Sequence, residues 1–344
     1  MQVLLGQTSE QITTIAKQTG APSFTAKQIC EWIYKKGATD IMQMSNLPLK
    51  LREKLAESYT VGRTLYSKEV ISADGTRKYL FEYSGGVLVE AVLIFDGNRV
   101  TLCISTQAGC KMNCAFCATG KMGFVRNLYA NEILNIYSEL NNRCREINSL
   151  LKIDNIVFMG MGEPLDNYQE VKTSLDILTA RWGYALSPHR ITVSTCGFLP
   201  KMKEFLDNTQ TDVAVSLHNA IPSERKDIMP IEKAFPIEKV VELLRQYDWK
   251  KQRRLTFEYI VFNNLNDTAR HINAIARLLN GLPCRINLIP FNTVPETLFV
   301  GADKDRMQQF AAKLKSKGFN TTIRQSKGAD ISAACGLLST KERN

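Results

Sequence analysis

Residues 109 to 124 read "GCKMNCAFCATGKMGF" and put Cys110, Cys114 and Cys117 in a C-x3-C-x2-C spacing. Thiolates this close are metal ligands by type, yet structural zinc takes four ligands, generally in closely spaced pairs from turns. Cys103, the nearest candidate for a fourth, lies within the strand-like run "VTLCIST". Lys111, Asn113 and the glycines mark a loop, which argues against three cysteines packed as small hydrophobes. An iron–sulfur cluster with three of its four irons held by protein accounts for all three. The open iron can then bind a small chelate, such as the amino and carboxylate groups of a methionine moiety.

The elements that must position this loop follow from hydrophobic periodicity. From residue 99 onward, the runs "VTLCIST", "IDNIVFMG", "RITVSTC", "DVAVSLH", "LTFEYIVF" and "RINLIPF", with a short "NTTIRQ", alternate with helical patterns such as "ANEILNIYSEL" and "DRMQQFAAKLKSKG". Alternation of this kind predicts βα units and a mostly parallel sheet, doubly wound or curled into a full or partial barrel. In each form the active site lies at the carboxyl ends of the strands. Gly162, Glu163, Ser194, Thr195, Ser216, His218 and Asn292 all close or follow such strands, on one rim with the cysteine loop. Singly, a Ser or Asn after a strand is an ordinary turn or cap residue and a lone His an ordinary surface or core residue. Their convergence on one mouth points to a shared site.

The first ninety or so residues are patterned differently. "FTAKQICEWIYKKG" and "LPLKLREKLAESY" have helical spacing, with Thr25 and Pro48 near their starts. "TRKYLFEY" and "GVLVEAVLIF", separated by "SGG", predict a hairpin. The expected division is a small α+β domain over residues 1–90 and an α/β domain over 91–344. With 344 residues, 44% apolar and 23% charged, the chain can fill one large core or a large domain plus a small one. No run approaches about eighteen uninterrupted apolar residues, and the start lacks the pattern of a signal peptide, so a cytoplasmic protein without membrane contact is expected. Nine irregularly spread cysteines disfavour a secreted disulfide framework. Lys plus Arg exceeds Asp plus Glu by 44 − 34 = 10, which favours a polyanionic partner such as nucleic acid.

The cysteine spacing, with Phe116 just before the last cysteine, resembles the signature of radical S-adenosylmethionine (SAM) enzymes, and "GMGEP" at 160–164 resembles their motif for the SAM amino group. "FTAKQICEWIYKKG", "VEAVLIF", "STQAGCKMNCAFCATGKMGF", "FMGMGEPL", "SLH", "INLIPFN" and "DISAACG", in this order, resemble the RlmN/Cfr family of RNA methyltransferases, its RlmN branch most, through most of the chain. The resemblance implies a partial (β/α)6 radical SAM barrel with an N-terminal accessory domain, a [4Fe-4S] cluster on Cys110, Cys114 and Cys117, and SAM. It further implies methylation of an adenosine in 23S rRNA, tRNA as a second substrate, a flavodoxin-like electron donor and a monomer. Cys196 in "STCG" and Leu337 in "ACGLL" stand where the family more often has Ser or Ala and Gln.

C2 of adenine is an electron-poor ring carbon with no lone pair, so ordinary electrophilic methyl transfer fails there. The resemblance implies a detour in which Cys335 carries a methyl group, a radical made from a second SAM takes hydrogen from it, and the resulting carbon adds to the ring. Cys103 is then the resolving thiol and Glu90 the general base for the ring proton. The SAM-binding positions carry over to Gly162, Glu163, Ser194, Ser216, Leu217, His218 and Asn292. Apart from the resemblance, Cys335 is a buried free cysteine beside alanines, Cys103 an inward-facing strand cysteine, and Glu90 the solvent-facing residue of an alternating strand. Lys121, Arg126, Arg324 and Lys327 flank the cysteine loop and the carrier segment and are expected to meet phosphates. "WKKQRR" at 249–254 is a lesser candidate, since charge before a strand is usually a solvated loop, and "KQICEWIYKKG" could also hold RNA. Two alternatives are Cfr-type methylation at C8 of the same adenine and a zinc-stabilised RNA-binding module using Cys103, Cys110, Cys114 and Cys117.

Overall fold

Parallel strands covered on both faces read as continuous apolar runs rather than alternating ones. The computed structural model describes residues 1–249, 253–294 and 297–340, and gathers such runs into one ten-stranded sheet. Its strands are β1 (Tyr66–Ile71), β2 (Arg77–Tyr83), β3 (Val87–Asp96), β4 (Arg99–Cys103), β5 (Ile153–Phe158), β6 (Ile191–Thr195), β7 (Asp212–Ser216), β8 (Leu255–Val261), β9 (Arg285–Pro290) and β10 (Asn320–Ile323). Spatial order follows chain order, from β1 at one edge to β10 at the other. β4 to β10 are parallel and β1 to β4 antiparallel. The edges are not paired with each other, so the sheet is the open, partial form of the α/β barrel.

Helices α1 (Ser9–Gln18), α2 (Thr25–Cys30, continued by one π turn to Lys35) and α3 (Leu49–Ser58) precede the sheet. Between and after the parallel strands lie α4 (Ala130–Ile147), α5 (Tyr168–Thr179), α6 (Leu199–Asn208), α7 (Pro222–Ile228), α8 (Ile237–Leu244), α9 (Ala269–Leu279) and α10 (Lys304–Ser316). α1 was not among the expected elements. Its signal is a capping box, in which Gln11 N donates to Thr8 Oγ1 at 3.3 Å and Thr8 N to Gln11 Oε1 at 2.7 Å.

The division expected at residue 90 falls inside β3, whose hydrogen bonds to β2 and β4 commit it to the barrel sheet. The hairpin is therefore an extension of that sheet rather than part of a separate layer. The N-terminal helices also share the main core, and Tyr34 packs edge-on against Trp182 and Tyr184 with centroids 5.9 and 5.4 Å apart.

After β10 the chain returns across the strand ends as an irregular strap, residues 324–340. Ser72 Oγ and Ala73 N donate to the Asp330 carboxylate at 2.6 and 3.0 Å, and Gly328 N donates to Asp74 Oδ2 at 2.9 Å. Gly328 has φ 67°, and a Cβ there would meet Thr76 at 2.8 Å, so only glycine fits the crossing. Among the described residues no helix is long and apolar enough to cross a membrane.

Candidate active site

Beyond β4 the chain forms a small ribbon, Gln107–Gly109 against Phe124–Asn127, and the cysteine loop hangs between its strands. Gly109 has φ 75°, and a Cβ there would lie 1.9 Å from Gly123 O, which fixes glycine at the loop's neck. Cys110 N donates to Gly123 O at 2.9 Å, Ala115 N to Ile228 O at 2.9 Å, and Ala118 N to Gly336 O at 2.8 Å. The loop is thus pinned to its own ribbon, to α7 and to the strap.

Cys110, Cys114 and Cys117 line one cavity of about 240 Å³ at the carboxyl ends of the strands. Burial pushes the Cys110 thiol up to about 12, with Cys117 adding to the shift, and raises Cys114 and Cys117 above their ordinary value as well. Thiols in such surroundings ionise only beside strong positive charge, and bound metal supplies it. Among the described residues no three metal-ligating side chains converge closely enough to hold a single ion. A single ion requires every sulfur within about 2.3 Å of one point. Three thiols opening onto one cavity would suit an iron–sulfur cluster, which would share them among its irons.

The rim residues follow from tight backbone geometry. Gly162 has φ 101°, and a Cβ there would come within 2.5 Å of Gln107 Cβ. The buried Glu163 carboxylate accepts from Leu165 N at 3.0 Å and Cys196 N at 2.8 Å. Burial raises its pKa although these hydrogen bonds oppose the rise. Ser194 Oγ donates to Glu258 Oε2 at 3.3 Å. Ile260 N donates to His218 Nδ1 at 3.0 Å, and the ring stands edge-on to Phe116 at 4.7 Å. Burial, helped by Arg225, takes His218 down to about 3, so its imidazole is neutral. Asn292 Nδ2 donates to Cys335 O at 3.2 Å. Gly162, Glu163, Ser194, Ser216, His218 and Asn292 all line the cavity. The Leu217 side chain does not, because it is wholly buried in the core.

Cys103 and Cys335 line the same cavity. Burial pushes Cys103 up to about 12, Cys335 adds to the rise, and the neighbouring Arg324 opposes it. Cys335, Arg324 and Glu258 are the charged or ionisable groups that act most on Cys103. Arg324 lines the cavity, with its guanidinium 3.8 Å from Glu258. Arg126 is likewise taken up by a two-pronged pair with Glu132 at 2.7 Å. Glu90 is not solvent-facing: it is 5% exposed. It stands outside the cavity lining and reaches the carrier segment through Ser339 N, which donates to Glu90 Oε2 at 2.8 Å.

Residues 3–61 match the family model described as the ribosomal RNA large subunit methyltransferase N-terminal domain, and residues 104–279 match that of the radical SAM superfamily. A probable dual-specificity RNA methyltransferase RlmN of Porphyromonas gingivalis is 49% identical over 341 residues, covering 99% of this chain and 97% of its own. The dual-specificity RNA methyltransferase RlmN of Psychrobacter arcticus is 39% identical over 356 residues, covering 97% and 87%. The chain belongs to the RlmN family of radical SAM RNA methyltransferases. The crystal structure of a radical SAM methyltransferase from Sphaerobacter thermophilus has the same fold, with a TM-score of 0.92 at 37% identity over 98% of this chain and 99% of that one. RlmN-family membership implies a [4Fe-4S] cluster and SAM, in keeping with the three-thiol loop at the cavity.

Sequence reasoning missed several residues that shape this RlmN-family site. Arg225 is wholly buried and donates to Cys196 O at 3.0 Å, Ser216 O at 2.8 Å and Leu217 O at 3.0 Å, bracing the ends of β6 and β7. Glu232 balances its charge at 2.5 Å. Within "IPSERKDIMP" nothing separates this arginine from a solvated one. Of the basic run at 249–254, Lys250, Lys251 and Gln252 lie outside the described residues. Arg253 is buried and donates to Thr211 O, Leu206 O and Thr209 Oγ1, so it closes a core edge instead of meeting RNA.

Proposed function

We propose that this chain methylates C2 of an adenosine in 23S rRNA and in tRNA, through an S-methylated Cys335 and a transient protein–RNA link. The observation that carries this reading is the opening of Cys335, Cys103 and the three-cysteine loop onto one cavity. The "dual-specificity" name of the relatives and the net charge of +10 favour RNA of two kinds as substrate. Residues ahead of the barrel sheet act as an accessory unit that helps to hold that RNA.

When bound, the cluster and SAM supply a transferable methyl group and, on reduction by a flavodoxin-like donor, a hydrogen-abstracting radical. Cys110, Cys114 and Cys117 hold the cluster. Gly162, Glu163, Ser194, Ser216, His218 and Asn292 orient SAM, and Leu217 contributes through its backbone alone. Cys335 Sγ bears the methyl carbon, and Asn292 and the strap fix the peptide that presents it. Once that carbon is bonded to C2 and the unpaired electron left by the addition has returned to the electron carrier, Glu90 takes the C2 proton and its electron pair restores the aromatic ring. The Cys103 thiolate then attacks the Cys335 sulfur, a disulfide forms, and the carbon–sulfur pair leaves with the methylene, which gains a proton to become methyl. A dithiol reductant resets the disulfide.

Mass spectrometry of RNA after turnover tests this reading: 2-methyladenosine is expected, and 8-methyladenosine would overturn the regiochemistry in favour of the Cfr-type reaction. Protein purified without oxygen should be brown, with roughly four irons and four sulfides per chain. A colourless zinc protein would refute the enzyme assignment.

A further inference from the structure

Lys78, on β2, plays no part in the scheme above. In the antiparallel pair of β2 and β3, Leu80 stands opposite Glu90 and Lys78 opposite Val92. Lys78 and Glu90 are thus diagonal neighbours on one face of the sheet. Lys78 Nζ lies 2.8 Å from Glu90 Oε1, with the two side chains 15% and 7% exposed.

We propose that Lys78 is a positioning residue for the proton-removal step, holding Glu90 charged and turning one of its oxygens toward the substrate; this depends on Glu90 being the base. A carboxyl group so far from water favours its neutral form unless a cation stands beside it. A neutral acid cannot accept the ring proton. The amide of Ser339 also touches the carboxylate, but a neutral dipole does not replace a charge at 2.8 Å.

The two oxygens are thereby divided in function. Oε1 is anchored on Lys78, while Oε2 faces the segment that carries Cys335, since Ser339 lies just beyond that cysteine. In the step itself the C2–H bond breaks, its electron pair stays in the ring, and an Oε2–H bond forms.

The ordinary role for such a pair is a strut between two strands, and the test separates the two. With reconstituted full-length enzyme and RNA, formation and decay of the covalent protein–RNA adduct are followed on denaturing gels. Lys78→Met and Lys78→Gln should form the adduct at the normal rate and resolve it roughly tenfold more slowly, the loss of part of a general-base contribution. Lys78→Arg, which keeps the charge, should restore most of the rate. SAM binding and Cys335 methylation should not change in any of the three. Normal adduct decay in both uncharged variants would overturn the proposal, as would slow formation matched by slow decay, or failure of Lys78→Arg to rescue. Glu90→Gln serves as the control: if it too resolves the adduct normally, the base assignment itself fails. If Glu90→Gln stalls while Lys78→Met does not, the role of Lys78 alone is wrong.

Discussion

Ser72 Oγ donates a hydrogen bond to Asp330 Oδ1 at 2.6 Å, closing a loop of 258 positions between the β1–β2 turn and the strap that bears Cys335. Asp74 and Asp330 are both held below the ordinary carboxylate range. At Asp74 burial works against this but is outweighed by hydrogen bonds from Thr76, Gly328 and Ser72; at Asp330 the Ser72 hydroxyl contributes most. Because the folded pKa values are lowered, the latch contributes fully above the unfolded carboxylate pKa of about 3.9 and is lost as pH falls through the folded values. At neutral pH, Asp330→Ala should speed hydrogen exchange across residues 328–338 while β5 to β9 exchange as before. Unchanged exchange there would mean that the strap is held by its other contacts alone.

Replacement of Cys110, Cys114 or Cys117 by Ala should each abolish the cluster and SAM cleavage while the protein still melts cooperatively. The three cysteines sit in a loop outside the packed strands, so little core is lost. Iron content and visible absorbance, set beside a thermal melt, decide the matter. A single variant that kept its iron would remove that cysteine from the ligand set.

Glu163→Ala should weaken SAM binding by about ten- to a hundredfold, the loss of one charge-assisted hydrogen bond worth roughly 1.5–3 kcal/mol. Glu163→Gln keeps the shape and one acceptor, and should fall between wild type and Ala. Equilibrium binding to the reconstituted protein reads this directly. An unaltered dissociation constant would confine Glu163 to bracing Cys196 N and Leu165 N.

Cys103→Ala should accumulate a denaturant-resistant, nuclease-sensitive protein–RNA band, since nothing then attacks the Cys335 sulfur. Adding Cys335→Ala should erase the band, and Cys335→Ala alone should neither turn over nor link to RNA. Normal methylation by Cys103→Ala without a band would return Cys103 to an ordinary strand residue.

His218, lowered to about 3 by burial and by Arg225, makes stability fall with acidification. The unfolded chain takes up a proton below about 6.5 and the folded one does not, so the contribution present above that pH is lost progressively toward 3. At pH 5 the loss is about 2 kcal/mol. Urea unfolding of wild type and His218→Gln at pH 7 and pH 5 should show a smaller pH effect in the variant. Equal pH effects would mean that the imidazole is protonated in the fold.

Features that depend only on neighbours along the chain are legible without a structure. The three cysteines, the glycine-flanked "GMGEP" turn and the seven apolar strands each declare themselves within a few residues, because a strand's period and a loop's ligand spacing are local properties. Helix α1 is marked in the same local way, by the capping box of Thr8 and Gln11. Which charges are spent inside the fold emerges from long-range packing: Arg225 on three strand-end carbonyls, Arg324 toward Glu258, Arg253 on a core edge, and Lys78 on Glu90. A charged side chain carries no mark in the sequence of whether water or a buried partner will solvate it, and the partner can lie hundreds of residues away. The strap shows this most plainly. Cys335 stands in a segment without periodicity, and the contacts that hold it over the mouth come from Ser72, Asp74, Thr119 and Asn292. They come together only because β2, β4 and β9 are already hydrogen-bonded into one sheet, after which closing each long loop costs little further entropy.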